Sequence, residues 1–266
     1  MKRRSFVKTS LLAGSIPAII SSSAEAENKN TMKVNSREYY ELRVYSLKDG
    51  TQQKIVEDYY QNAAIPAYNK IGSKNIGVFT ETKPEGQTKL YVLIPYQSLI
   101  DFSNSNDKLA KDASYMQSAD AYLNAPATAP AYERIESSFF TSFAQFSQIK
   151  VPQNKARMFE LRRYESPGEA AGKKKIEMFN DAGEINVFLK TGLQPVFFGE
   201  CLVGENRPNL TYMLVFDDMT NHDAAWKTFA GSPEWNKLKA IPEYADAKII
   251  SKITSTFLAP VGYSQV

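Results

Sequence analysis

Glu41, Arg43 and Tyr45 stand at alternate positions of YYELRVY (39–45). Glu160, Arg162 and Tyr164 stand in the same order in MFELRRY (158–164), 119 residues further on. A carboxylate, a guanidinium and a phenol on one face of a strand can move a proton, orient a polar ligand or simply tie one another together. A carboxylate left unpaired in partly apolar surroundings has a raised pKa and suits a general base. Beside an arginine it forms a structural ion pair, and that plainer reading carries the greater weight. The candidate catalytic groups are Glu160, Arg162 and Glu200, the last from the strand-like PVFFGE (195–200). The candidate ligand-binding residues are Glu41, Arg43, Tyr45, Tyr164, Phe198 and Tyr212.

Other chemistry is sparse. One cysteine and one histidine exclude a thiolate zinc cage and a histidine-rich metal site built by one chain, so no metal or cofactor is expected. His222, in DDMTNHDAAW, reads as part of a helix's first turn, where acidic neighbours suit the positive end of the dipole. Cys201 reads as an inert strand residue. Glu177, Asn180, Asp181 and Glu184 share helical spacing and read as a solvated face balanced by Lys173–Lys175. Phe197, Phe216, Trp226 and Trp235 read mostly as core. No phosphate-cradling glycine loop, GxSxG elbow or HExxH occurs.

The elements that must position these groups repeat. IGVFTE (76–81) aligns with PVFFGE (195–200), LYVLIPY (90–96) with TYMLVFD (211–217), and IESSFFTSF (135–143) with IISKITSTF (249–257). Repetition at this length means duplicated domains. Between the first and second strands of each copy lies a helix. In the first copy Val56, Tyr60, Ala63, Ala67 and Ile71 mark its buried face, Pro66 should kink or break it near Ile65, and Gly72 ends it. In the second, Ser166, Pro167 and Glu169 form a capping-box start, Ile176, Phe179, Gly183 and Val187 mark one continuous face, and Gly192 ends the helix. A second helical region precedes the last strand, capped in the second copy by Thr220 with Asp223 and again by Ser232 before Pro233. The order β-α-β-β-α-β is the ferredoxin-like unit.

The fold class is therefore α+β: two tandem ferredoxin-like repeats packing sheet to sheet around a barrel-like space. Helices cover one face of each sheet. The other face, carrying the Glu/Arg/Tyr row, is expected to line a shared interior between the copies. The 266 residues, 43% of them hydrophobic, suffice for two such cores. The formal charge of +3 falls further once Lys2, Arg3, Arg4 and Lys8 are set aside, so no nucleic-acid partner is expected.

Residues 1–26 read as an export signal: a basic head, a short apolar stretch from Leu11 to Ile20, and Ala24-Glu25-Ala26 at the cleavage point. RRSFVK resembles the twin-arginine motif, with an ordinary Sec signal as the alternative. The expected location is the periplasm or the medium of a bacterium, with no membrane span. Residues 27–37 read as a mobile leader, 38–147 as the first repeat, 148–155 as a linker and 156–266 as the second repeat.

The ELR.Y strands, G..PVFFGE, PNLTYMLVFDDM and AW..F...PEW resemble the NIPSNAP family, most closely in the second copy. The resemblance implies the dimeric α/β-barrel superfamily and no particular reaction; its wider relatives include cofactor-free monooxygenases and haem enzymes. The expected function is binding of a small, partly apolar molecule between the repeats. The rivals are a cofactor-independent oxygenase or isomerase using Glu, Arg and Tyr, and a structural module with a filled barrel. A homo-oligomer is a possible assembly.

Overall fold

The computed structural model describes residues 37–153 and 157–266. The residues read as an export signal, almost all of those read as a leader and the end of the stretch read as a linker lie outside the described residues. The first repeat runs β1 (Tyr39–Leu47), α1 (Gly50–Tyr59), a π-helical turn (Tyr60–Ala64), α2 (Ile65–Lys70), β2 (Gly77–Glu81) and β3 (Thr88–Tyr96). Four short helices follow, α3 (Leu99–Ser103), α4 (Ser105–Ala110), α5 (Ala113–Ser118) and α6 (Asp120–Leu123), and β4 (Arg134–Ser142) closes the repeat. The second repeat runs β5 (Met158–Glu165), α7 (Glu169–Asn180), α8 (Glu184–Lys190), β6 (Gln194–Val203) and β7 (Asn209–Phe216). It ends with α9 (Met219–Gly231), α10 (Pro233–Lys239), α11 (Asp246–Ile249) and β8 (Lys252–Pro260).

Local chemistry sets the helix limits. Asp49 caps α1 by accepting from the backbone N–H groups of Thr51 and Gln52. Pro66 does not break the helix that follows. The wide π turn just before it absorbs the missing N–H and the ring, and Val56, Tyr60, Ala63 and Ala67 stay on one buried face. In the second repeat the helix read as continuous is interrupted. Gly183 adopts φ +92°, which separates α7 from α8. Ser166 and Thr220 do not cap; Gly168 and Asp218 hold those positions, while Ser232 caps α10 as expected.

The eight strands close into one antiparallel barrel in the order β1-β3-β2-β8-β5-β7-β6-β4. Each repeat supplies four neighbouring strands. The two seams between repeats are short: Phe79–Glu81 with Leu258–Pro260 on one side, and Phe139–Ser142 with Gly199–Val203 on the other.

The register corrects the alignment of the copies. Arg43 lies opposite Val92 and Ser137, and Arg162 lies opposite Tyr212 and Ser255. The counterpart of Tyr212 is thus Val92. The string alignment had set Tyr212 against Tyr91, and a slip of one residue moves a side chain to the other face. Phe198 likewise corresponds to Val78 rather than Phe79, because Val78 pairs with Val92 and Phe198 with Tyr212. ITSTFL (253–258) stands where IESSFF (135–140) stands; IISK falls earlier, at the end of α11 and the start of β8.

The faces are also corrected. Glu41, Arg43, Tyr45, Glu160, Arg162, Tyr164, Phe198 and Tyr212 do not line the space between the copies; they lie under the helices of their own repeat. Tyr45, Val78, Val92 and Tyr96 pack with Val56, Tyr60, Tyr68 and Tyr115, and Tyr164, Phe198 and Tyr212 pack with Phe179, Phe188 and Phe229. The intervening residues point inward: Tyr40, Leu42, Phe79, Leu93, Phe140, Phe159, Leu161, Met213 and Leu258 form a third core shared by both repeats. The helices carry phenols and an indole that hydrogen-bond the Glu/Arg row. The inward rings nearest Glu41 and Glu160 are largely apolar, and there a carboxylate would lose its hydration with few partners gained.

Candidate functional site

The two faces of β1 and β5 make two kinds of site. On the helix side of the first repeat, Arg43 donates through Nε and Nη2 to the two oxygens of Glu41, at 2.8 and 2.9 Å. Tyr96 and Ser137 also donate to Glu41, at 3.0 and 2.7 Å, and Arg43 reaches the Tyr68 hydroxyl at 3.1 Å. Tyr45 joins through Tyr60, 2.8 Å away, and Tyr122, 3.0 Å away. Burial pushes the Glu41 carboxyl up, but the Arg43 charge and the donated hydrogen bonds outweigh it and hold the pKa below its ordinary range. Burial pushes the Tyr45 and Tyr60 phenols far above theirs, so both stay neutral. Every nitrogen of Arg43 has a partner, and the group is a clamp between sheet and helix.

The second repeat uses the same strand motif with other partners. Arg162 Nη1 lies 2.5 Å from Glu160 and Nη2 lies 3.2 Å from the Tyr164 hydroxyl, which also accepts from Tyr212 at 3.2 Å. Ser255 donates to Glu160 at 2.6 Å and the indole of Trp226 at 2.9 Å. The Arg162 guanidinium sits 4.7 Å from the Trp226 ring. His222 brings Nε2 to 3.3 Å from Glu160 and Nδ1 to 2.8 Å from Asp223. Nε of Arg162 and Nε2 of His222 are buried without a hydrogen-bond partner. Phe198 stacks obliquely on Tyr212 at 5.2 Å. Thus Glu160, Arg162, Tyr164, Tyr212 and Phe198 come together, as do Glu41, Arg43 and Tyr45, in separate repeats. Glu200 does not join them. It pairs with Leu210 and Thr141, well along β6 from the level of Glu160, in a hollow beside Lys173 and Cys201. Burial pushes the Cys201 thiol up.

One of the acidic helix residues departs from the solvated reading. Glu184 is buried and takes the ammonium of buried Lys175 at 2.9 Å, among the rings of Tyr164, Phe179 and Trp235. Burial raises its pKa more than Lys175 lowers it. Among the described residues no group of three or more His, Cys, Asp or Glu side chains is arranged to hold a metal ion, and no helix is long and apolar enough to cross a membrane.

The inward face forms rings, read from the ladder register. Tyr40, Pro95 and Phe140 share the level of one end with Phe159, Val215 and Leu258 at the corresponding places in the second repeat. Next come Leu42, Leu93 and Ser138 with Leu161, Met213 and Thr256. Then follow Val44, Tyr91 and Glu136 with Arg163, Thr211 and Thr254. The first ring plugs the barrel: Phe159 and Leu258 are wholly buried, and each such side chain contributes about 1.5–3 kcal/mol. Beyond it a cavity of about 440 Å³ opens at the other end, with Leu42, Leu161 and Phe140 on its apolar side and Arg163, Thr254 and Glu136 on its polar side. The seam explains the opening. The β4–β6 ladder starts at Phe139, so Arg134–Ser138 have no pairing partner in β6, and the β6–β7 hairpin borders the gap. Gly204, at φ +147°, lets that hairpin approach, since a Cβ there would meet Ser138 Oγ at 2.5 Å.

Within the cavity, Tyr91 donates to Glu81 at 2.6 Å, and burial followed by that bond pushes its phenol well up. Arg163 contacts a single oxygen of Glu165, from Nε and Nη2 at 3.1 Å each. Sequence reasoning does not single out the inward residues Arg163, Thr211, Thr254 and Thr256, because the repeated Glu/Arg/Tyr row is the stronger pattern on these strands. Their signal was present as the alternate positions of the same strands.

A family model described as NIPSNAP matches the chain twice, at residues 40–147 and 159–265. Among solved structures, a candidate monooxygenase from Fusobacterium nucleatum subsp. nucleatum is 12% identical, with 85% of this chain and 94% of that one covered and a TM-score of 0.57. A candidate monooxygenase from Lactobacillus acidophilus is 9% identical, with 84% and 94% covered and a TM-score of 0.55. A NIPSNAP-like domain protein from Burkholderia xenovorans is 13% identical, with 41% and 89% covered and a TM-score of 0.37. At these identities the likeness to the two candidate monooxygenases is one of fold. No curated protein matches the chain.

Proposed function

The chain belongs to the NIPSNAP family, and on that premise we propose that it binds a small, partly apolar molecule inside the barrel, between its two repeats. The observation that carries this reading is the cavity of about 440 Å³, apolar towards the plugged end and polar towards the mouth. Ligand cavities of a few hundred Å³ with a few placed polar groups are the usual form of small-molecule sites. The basic head, RRSFVK and the apolar stretch of residues 1–26 support export to the periplasm or the medium. The test uses Val44→Trp and Thr256→Phe, which fill the cavity from partly buried wall positions. A metabolite screen by thermal shift should give hits for the wild type that both variants lose while unfolding at nearly the wild-type temperature. Retention of the same hits by both variants refutes the reading.

A second reading, a cofactor-independent enzyme, draws on one observation: two buried nitrogens, Arg162 Nε and His222 Nε2, have no hydrogen-bond partner and surround the buried Glu160. Of the two, Arg162 Nε is an unused donor, and such a donor can hold a reacting oxygen. If turnover of any metabolite is found, Glu160→Gln should abolish it, and Val44→Trp, which fills the barrel on the other face, should leave it intact. Homo-oligomerisation, a further expectation, is read by sedimentation velocity.

A further inference from the structure

The cavity wall is not symmetric, and its asymmetry names one end of the ligand. At the third ring the second repeat presents Arg163 flanked on both neighbouring strands by threonine, Thr211 on β7 and Thr254 on β8. All three line the cavity. The same places in the first repeat hold Val44, Tyr91 and Glu136. The Tyr91 hydroxyl is already committed to Glu81.

The threonine–arginine–threonine row has hydrogen-bonding capacity to spare. Thr254 Oγ1 is buried without a partner, and Thr211 donates only a long bond of 3.3 Å to Asn209. Arg163 touches Glu165 through one oxygen, on the Nε and Nη2 edge, which leaves Nη1 to face another group. A guanidinium edge between two hydroxyls matches an oxyanion, which takes charge-assisted bonds from the first and neutral bonds from the second. Lys89 and Arg134 at the mouth add positive charge, against Glu136 and Glu205 on the same wall.

We propose that the molecule held in the barrel is an amphipathic carboxylate, with its acid group on Arg163, Thr211 and Thr254 and its apolar body on Leu42, Leu161 and Phe140. This rests on the barrel-binding reading and adds the class of ligand to it. The apolar body lies toward the plugged end and the acid toward the mouth. Glu165 competes for Arg163 with the incoming acid, and Glu136 disfavours a second negative charge on the ligand's far side.

The experiment is titration calorimetry at fixed ionic strength and neutral pH with two matched series, decanoate, decanol and decylamine, and 1-naphthoate, 1-naphthalenemethanol and 1-naphthylmethylamine. In at least one series the acid should bind the wild type about 10-fold or more tighter than its neutral and basic partners, the range expected for a charged hydrogen bond. Arg163→Met should erase that preference by weakening the acid about 10-fold more than the alcohol. Thr254→Val should reduce it in part, and Glu165→Gln should tighten the acid a few-fold. If the alcohol or the amine binds as tightly as the acid, or Arg163→Met leaves the preference intact, the carboxylate assignment is overturned and the barrel reading stands. If no member of either series binds saturably, both fall together.

Discussion

The Glu–Arg pair of the first repeat and that of the second begin from the same strand motif and end in different states. Arg43 meets Glu41 at two points and two tyrosine hydroxyls besides, whereas Arg162 meets Glu160 at one point and leaves Nε unpaired. Tyr60 and Tyr68 supply the phenols in the first repeat. In the second, Phe179 and Phe188 occupy the hydrophobic layer under the helices, and Trp226 and His222 of α9 approach Glu160 instead. A buried charge pair is therefore not one thing. Its role is set by how many of its donors the overlying helices complete.

The sharpest way to break this comparison is to remove each arginine. Arg43→Met takes the counter-charge and two hydrogen bonds from buried Glu41 and should cost about 3–5 kcal/mol in urea unfolding. Arg162→Met should cost less, on the order of 1–3 kcal/mol, because Arg162 makes a single bond to Glu160. A larger loss at Arg162 than at Arg43 would reverse the assignment of clamp and spare site.

Acid should separate the repeats next. Glu41 has a folded pKa below its ordinary value of 4.5. Its contribution to stability is therefore present above that value and is lost as pH falls through the folded value. The urea midpoint of the wild type should drop on acidification below about pH 4.5, and Glu41→Gln should flatten that limb at the expense of stability at neutral pH. An unchanged acid limb in the variant would mean that Glu41 is not held as a carboxylate by Arg43.

Smaller effects sharpen the picture. Tyr68→Phe removes one donor–acceptor contact to Arg43 and should cost about 1 kcal/mol. Trp226→Phe removes the indole bond to Glu160 and part of the stack on Arg162, for about 1–2 kcal/mol. The smallest effect is expected at His222→Gln, within about 1 kcal/mol, because its Nε2 makes no aligned hydrogen bond. Thermal and urea unfolding of the three variants rank them.

Much of this fold was legible. The repeated strands, the β-α-β-β-α-β order, the helix stops at Gly72 and Gly192 and the Ser232 cap all follow from short-range chemistry. Which row of β1 faces which neighbour did not. Both rows are bulky: Tyr40, Leu42 and Val44 on one side, Glu41, Arg43 and Tyr45 on the other. A sheet buried on both faces lacks the polar-out alternation that fixes orientation. The deciding evidence lay on the helices, where Tyr60 and Tyr68 carry hydroxyls for Arg43. Tyr60 had been read only as an apolar contact, and Tyr68 had not been singled out. The second helix of the second repeat was misjudged for the opposite reason, since Gly183 fits a helical period by count while its backbone turns left-handed.

Because Val44 and Arg163 occupy matching places on opposite walls, the mouth has a handedness that two identical subunits related by a twofold axis could not possess. An arginine introduced into such a pair would appear twice, facing its own copy. Covalent fusion frees each wall to vary alone, so a guest can be told head from tail, and a single mutation retunes one of its ends without disturbing the other.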